Sequence, residues 1–556
     1  MKLLLSSLLT TVFIFNLNLT AQEAGWHLGP ADPGSSVGIS ANKLYSEILK
    51  NKNSQAVVVA VIDSGVDVEH EDLRANVWIN EDEIPDNGID DDNNGYIDDI
   101  HGWNFIGGTD GRNVGPDTYE VTRLYGKLKY KYENANPAKL SKKDKKEYEL
   151  FLKYKEEVEK EIKNATSRLE NIKRTEENLM NSLDAIDKAI GEKELSFETL
   201  KSIDGQDKPS LAMGKNILLD FIARGEELVS IDSLKAMIGS DIADAMEYYQ
   251  NKVDFAYNPD FDTREIVGDD YTNQEERYYG NNDVEGPDAS HGTHVAGIIA
   301  AVRDNNIGID GIANNVQIMA VRAVPDGDER DKDVANAIRY AVDNGASVIN
   351  MSFGKGFSWN EKVVEDAIKY AADNDVLLIH AAGNSSQDND SADNFPNDEY
   401  QGKGFLFFKG KKKNFNNWLE IGALNYKTGD ELPAPFSNYG SQNVDLFAPG
   451  MSIHSTMPND EYQPMQGTSM ASPVVAGVAA VLRSYFPSLT AVQVKKILMA
   501  SVSKQDTNVF LPGDKSTLVP FSQLSVTGGV INAEKAVKLA EQTKGEKKLN
   551  VRKDKV

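Results

Sequence analysis

The sequence predicts an α/β protein: a parallel β-sheet with helices on both faces, interrupted by an α-helical hairpin or bundle. Three observations predict it. Short apolar runs alternate with amphipathic helical stretches over about 56–105 and 288–541, the pattern of a parallel sheet with crossover helices. Between them lies a charged stretch with a sustained 3–4 apolar spacing, the mark of a long helix with a packed seam. Residues able to do chemistry sit where an apolar strand ends (Asp63) and where a helix begins (Ser469), as expected at the carboxyl ends of such strands.

The elements follow in order. Lys2 precedes an apolar run from Leu3 to about Leu19, with Thr20-Ala21-Gln22 after it. Asn16 and Asn18 interrupt the run, so residues 1–21 read as a signal peptide and not as a membrane span. The expectation is a secreted protein, periplasmic or extracellular, with no membrane attachment after signal removal. Residues 22–108 form the first part of the sheet domain, with a strand over 56–62. Residues 109–286 form the helical insertion. Ser141 and Asp144 make a capping-box-like start. The seam then runs through Tyr148, Phe151, Lys155, Val158, Ile162, Ala165, Leu169, Ile172, Glu176, Leu179, Leu183, Ile186 and Ile190, and ends at Gly191. A helix of that extent is roughly 65 Å long. Its apolar seam needs partners, and 209–224 and 230–254 supply them in a coiled-coil-like hairpin or small bundle. Its role is either inert decoration or that of a lid, a substrate guide or an arm that contacts a partner. Residues 287–541 complete the sheet domain, with strands over 317–323, 347–351, 376–381, 419–423 and 444–447. Helices are expected over 331–343, 360–373, 469–484 and 490–501. Residues 542–556 are a basic tail that reads as a frayed end.

Composition narrows the function. The 556 residues allow two or three domains and a large core. A net charge of −27 argues against a nucleic-acid partner and favours solubility and cation binding. There is no cysteine, which excludes disulfides, a thiolate nucleophile and thiolate metal sites.

Three motifs carry the chemistry: Val61-Ile62-Asp63-Ser64-Gly65-Val66-Asp67, His291-Gly292-Thr293-His294-Val295-Ala296-Gly297 and Gly467-Thr468-Ser469-Met470-Ala471-Ser472-Pro473. They offer a carboxylate, an imidazole and a hydroxyl, the set that turns a serine into a nucleophile. His294 would lie near the face of His291, but no His-Glu-x-x-His motif supports a zinc pair. It reads as a buried structural histidine. Asp67 reads as a turn residue. In Asp90-Asp91-Asp92-Asn93-Asn94-Gly95-Tyr96-Ile97-Asp98-Asp99, oxygens at Asp90, Asp92 and Asn94 precede a glycine, a backbone carbonyl at Tyr96 and two later carboxylates, Asp98 and Asp99. This is like the first half of an EF-hand loop, but the twelfth position is His101, so it is not an EF-hand. Such crowded carboxylates repel one another without a cation, and calcium is the expected metal.

All three motifs resemble the active-site segments of the subtilisin-like serine proteases, the subtilases, in the order Asp, His, Ser. The resemblance implies the subtilisin-like sheet fold and a serine endopeptidase acting on proteins or peptides. It makes Ser469 the nucleophile, His291 the general base and Asp63 its orienting carboxylate. Ala381-Ala382-Gly383-Asn384 resembles the segment that supplies a side-chain amide to the oxyanion, so Asn384 takes that role beside the Ser469 N–H. Asn350-Met351-Ser352-Phe353-Gly354 resembles the substrate-binding strand, where an extended peptide pairs by strand addition. Ser352, Phe353 and Gly354 would face Ala381, Ala382 and Gly383 as the two walls of the pocket for the side chain before the scissile bond, with no charge to mark a preference. Asp72 matches a further calcium ligand of the family, with Asn305, Ile307 and Ile309 in the partner loop. One extra residue separates that loop from His291. Asp63 and His291 stand 228 residues apart, far more than in the small members, and the helical insertion accounts for the excess. The stretch between the signal and the first strand is too short for the pro-domain that many secreted members carry. Two rivals remain at this stage: a non-catalytic binding protein that keeps the fold, and a processing enzyme dedicated to one substrate.

Overall fold

The computed structural model describes residues 25–31, 37–205, 208–223, 230–402 and 411–547. The expected signal peptide and the end of the basic tail lie outside them. The chain divides into two compact units, one made of Val121–Phe261 and the other of Ala21–Glu120 with Asp262–Val556. The helical unit is narrower than the 109–286 stretch read as insertion. Residues 109–120 and 262–286 belong to the larger unit.

The larger unit is built on a nine-stranded sheet. Its strands are β1 (Val57–Asp63), β2 (Gly102–Asn104), β3 (Val316–Arg322), β4 (Ala346–Met351), β5 (Leu377–Ala381), β6 (Trp418–Leu424), β7 (Leu446–Pro449), β8 (Ser503–Lys504) and β9 (Gly529–Val530), in the order β8-β9-β7-β6-β5-β4-β1-β3-β2. Every pairing is parallel except β8 with β9. The strand β1 shows why. Its sequence Val-Val-Val-Ala-Val-Ile-Asp is apolar on both faces, as a strand covered on both sides requires. Val57, Val59 and Val61 enter one core with Ile298 and Ile299 of helix Ser290–Ala300 and Val474 and Val478 of helix Thr468–Tyr485. Ala60 and Ile62 enter the other, with Val334 and Ile338 of helix Asp331–Asp343 and Val364 and Ile368 of helix Glu361–Asp373. The six strands expected from the sequence are present within two residues. The short strands β2, β8 and β9 offer too little apolar run to be read.

In the helical unit one helix runs over Lys142–Ile190. The Ser141 hydroxyl accepts from the Asp144 N–H at 3.2 Å and Gly191, at φ +59°, closes the far end. Phe151, Val158, Ala165, Leu169, Ile172, Leu179, Leu183, Ile186 and Ile190 of the seam are buried. Lys155 interrupts the seam because it pairs with Glu133 at 2.7 Å. Helices Pro209–Ala223 and Ile231–Asn251 pack on the second half. Gly214 allows that approach, since a Cβ there would lie 2.2 Å from the Ser182 carbonyl. Tyr125 and Tyr132 of helix Glu120–Tyr132 cover the first half, Tyr125 stacked on Phe151 and Tyr132 tilted against it.

Candidate active site

Asp63 ends β1, and its backbone carbonyl accepts the N–H groups of Ala323 and Val324. The carboxylate is almost fully buried. Its Oδ1 accepts the Ser64 N–H at 2.8 Å and faces His291 Nδ1 at 2.7 Å. His291 stands in the first turn of helix Ser290–Ala300. The helix comes this close because its next residue is glycine: a Cβ on Gly292 would lie 2.0 Å from the Gly65 carbonyl and 3.0 Å from Asp63 Cβ. Burial alone would push the His291 imidazole down, but the charge and hydrogen bond of Asp63 outweigh it and hold its pKa above the ordinary value. His294 is unlike it. Buried at 0 % exposure, it turns Nε2 to the carbonyls of Ile453 and Gln463 at 3.0 and 3.1 Å, and burial pushes it down to about 3. That nitrogen is spent on the fold.

Ser469 is the second residue of helix Thr468–Tyr485, where backbone N–H groups have no partner within the helix. Its hydroxyl donates to the Ser352 carbonyl at 3.2 Å. Pro473 stands four residues on and has no N–H to give the Ser469 carbonyl. The Ser352 hydroxyl gives it a hydrogen bond instead, at 3.0 Å, and is itself held by the Asn350 amide at 2.9 Å and Ser472 at 2.8 Å. The serine turn is thus tied to the strand beside it.

Asn384 follows β5. Its Oδ1 accepts both the N–H and the hydroxyl of Thr468, at 2.8 and 3.0 Å, which leaves Nδ2 as a donor toward the serine turn. Gly383, at φ +104°, makes that turn, and a side chain there would strike the Asn438 amide at 2.6 Å. Ser352, Phe353, Gly354, Ala381, Gly383, Asn384 and Ser469 line one cleft of about 390 Å³. Ala382 does not join them. It is fully buried, and its carbonyl accepts from Asn389 and Asn438 at 2.9 Å. Asp393 and Asn394 do line the cleft, brought in by the chain after the Asn384 turn, where no motif marks them in the sequence. A hydroxyl at the start of a helix, an imidazole with an orienting carboxylate, and two donors beside a peptide-sized cleft are parts that acyl transfer needs.

The aspartate-rich loop folds back on Glu83. Carboxylate oxygens of Glu83, Asp90 and Asp92 lie within 4.8 Å of one another, a donor set that suits a hard cation. Glu83 was not singled out in the sequence because it precedes the motif. The carboxylate of Asp98 accepts the N–H groups of Asn87 and Gly88. That of Asp99 accepts from Tyr340, Asn80 and Asn94, and burial raises it to about 6. Asn94 gives its amide to Asp92 and Asp99, and Tyr96 is buried among aromatic rings. Elsewhere, buried Asp72 accepts from the Asn305 amide at 2.7 Å and from the Ile309 N–H at 3.1 Å, and Asn305 accepts the Ile307 N–H at 2.9 Å. The 305–309 loop lies beside Asp72 and donates to its carboxylate. No helix among the described residues is long and apolar enough to cross a membrane.

Comparison with known proteins gives one family. The model of the Subtilase family matches residues 54–514. "Thermophilic serine proteinase" of Bacillus sp. (strain AK1) is 39% identical over 266 residues, 46% of this chain and 54% of that protein. "Subtilisin DY" of Bacillus licheniformis is 34% identical over 216 residues, 38% of this chain and 70% of its own length. The chain thus spans about half the length of the first of these relatives. Among solved structures, "Prenylagaramide maturation protease PagA" is 28% identical with a TM-score of 0.36, over 46% of this chain and 83% of that one.

Proposed function

The chain belongs to the subtilase family, and from that premise we propose that it is a secreted serine endopeptidase, stabilised by calcium, that hydrolyses peptide bonds of proteins through an acyl-enzyme on Ser469. The observation that carries this reading is the 2.7 Å pair of buried Asp63 with His291, in the same unit as a cleft lined by Ser469 and Asn384. Asp63 holds the imidazole with its Nδ1–H committed, so that Nε2 is the basic nitrogen. His291 takes the Ser469 proton as the hydroxyl turns from the Ser352 carbonyl to attack, and gives it to the leaving amine. Oxyanion charge is met by the Asn384 amide and the Ser469 N–H. Water activated by His291 then frees the acid. Ser352, Phe353 and Gly354 pair with the substrate backbone.

Glu83, Asp90 and Asp92 are the residues that would hold a calcium ion, with the Asp72 loop and Asn305, Ile307 and Ile309 as a second candidate. The cation would neutralise crowded carboxylates and rigidify the loop. Export rests on the apolar run at the start of the sequence. The test of the catalytic reading is labelling by a fluorophosphonate in the presence of calcium, with Ser469→Ala as control. Labelling of the wild type and loss of peptide turnover by about 10⁴-fold or more in the variant are expected. A folded wild type that takes no label overturns the reading and favours a binding protein.

A further inference from the structure

The cleft beside Ser469 carries charge that the sequence motifs do not reveal. Two of its lining residues are charged, Lys355 and Asp393, and their surroundings differ. The Lys355 ammonium is buried, at 2.7 Å from both the Glu120 and the Asp331 carboxylates and 2.6 Å from the Glu329 carbonyl. Its charge is met there by carboxylates of the protein itself. Asp393 is exposed on the cleft and takes part in no ion pair among the described residues.

The neighbouring amide is fixed as an acceptor. Asn394 gives Nδ2 to the Ala382 carbonyl at 3.3 Å and to Glu420 at 3.2 Å. Glu420 is itself held by His380 at 2.9 Å and by the Trp418 indole at 3.0 Å, and turning the amide over would set its oxygen against that carboxylate and the Ala382 carbonyl. Asn394 Oδ1 therefore faces the opposite wall, 3.2 Å from where a Cβ on Gly354 would stand. The Asn438 amide, also on the cleft, is used up by Ala382, Asn389, Ser385 and Gln387. What Asp393 and Asn394 offer a substrate side chain is a carboxylate and a carbonyl oxygen, both acceptors.

Lysine and arginine are donors without an acceptor. A carboxylate side chain would meet two acceptors and an excess of negative charge. An apolar one would seal Asn394 Oδ1 from water and supply no donor. We propose that this cleft selects a lysine or arginine side chain immediately before the scissile bond, and that Asp393 and Asn394 are its specificity-determining residues. The inference rests on the protease reading and names the substrate class of that site.

The test uses the full chain with calcium and four peptide anilides that differ only in the residue before the cleaved bond: Arg, Lys, Leu or Glu. Fluorophosphonate labelling is measured first on every preparation. The kcat/KM for Arg and Lys is expected to exceed that for Leu by at least about tenfold, with Glu lowest. Asp393→Asn is expected to reduce the Arg-to-Leu ratio by about tenfold, and Asp393→Lys to raise Glu above Arg. A labelled enzyme that prefers Leu, or one whose Arg-to-Leu ratio is the same in Asp393→Asn, overturns the specificity and leaves the protease reading standing. No label and no turnover of any substrate overturns both.

Discussion

The seam of the helical unit and the candidate site of the larger unit are built from different chemistry. In the helical unit the inner cluster is apolar throughout, with Ile172, Leu179, Leu183 and Ile186 against Leu200, Leu218, Ile238 and Ile242. In the larger unit the polar groups of the candidate site are bonded to one another: Asp63 to His291, Ser352 to Ser469 and Ser472, Asn384 to Thr468, Glu420 to His380 and Asn394. An apolar seam is specified in aggregate, and a neighbouring hydrophobe of similar volume can replace any member. A bonded polar network is specified residue by residue, because each group removed leaves its partner unpaired. The first kind of region tolerates change in sequence and loses stability gradually. The second loses function at single positions.

The sharpest way to break that contrast is at Asn384. Its truncation to Ala removes one oxyanion donor and should lower kcat by about 10²–10³. KM and the melting temperature should change little, because the residue is at the cleft surface. Steady-state kinetics beside a melting curve checks this. A kcat within about threefold of wild type would mean that Asn384 is only a structural cap on Thr468.

The matching substitution in the other unit is Leu183→Ala. Leu183 has no exposed surface, and losing its buried methyls should cost about 3 kcal/mol. The cost should appear as faster hydrogen exchange along Lys142–Ile190, with kcat/KM on small peptides unchanged. A loss of turnover equal to that of a cleft variant would end the separation between the units.

A third comparison lies within the larger unit. The Glu83, Asp90 and Asp92 cluster is a polar network that a cation should complete. Chelation should lower the melting temperature, since calcium at 100 times its Kd contributes about 2.7 kcal/mol by mass action. Glu83→Gln should shrink the difference between the curves with and without calcium. An unchanged curve on chelation removes the calcium reading.

How much of this was legible follows the same division. Motifs around Asp63, His291 and Ser469 could be read because each packs many required residues into a short stretch. Gly292 next to His291 and Pro473 after Ser469 are parts of the geometry, as their contacts show. The helix Lys142–Ile190 could be read because its period persists and both caps are marked. What escaped is whatever long-range contact alone supplies. Glu83 reaches the aspartate loop from outside it. Asp393 and Asn394 enter the cleft through a return of the chain with no period or motif. Lys332 is wholly buried in the first turn of an amphipathic helix, with a hydrogen bond to Asp269 at 2.6 Å and one to Glu276 at 2.7 Å. In sequence it is one charge among many, and only its partners give it meaning.

The finest test of the polar network is its pH dependence. The base at His291 must be neutral to accept the Ser469 proton. Its pKa stands above 6.5 because Asp63, and to a smaller degree Asp288, outweigh the effect of burial. Activity should therefore fall as pH drops through that raised value, with the midpoint of the acidic limb of kcat/KM above 6.5. Asp288 is exposed and accepts the Ser290 N–H at 2.9 Å. Asp288→Asn keeps that hydrogen bond and removes the charge. The limb should then move to lower pH, since one less anion favours the neutral imidazole, and the displacement should shrink in high salt as the field is screened. A limb that does not move would show that only the bonded carboxylate of Asp63 sets the imidazole. A limb that moves to higher pH would contradict the sign of the interaction and with it the electrostatic account of His291.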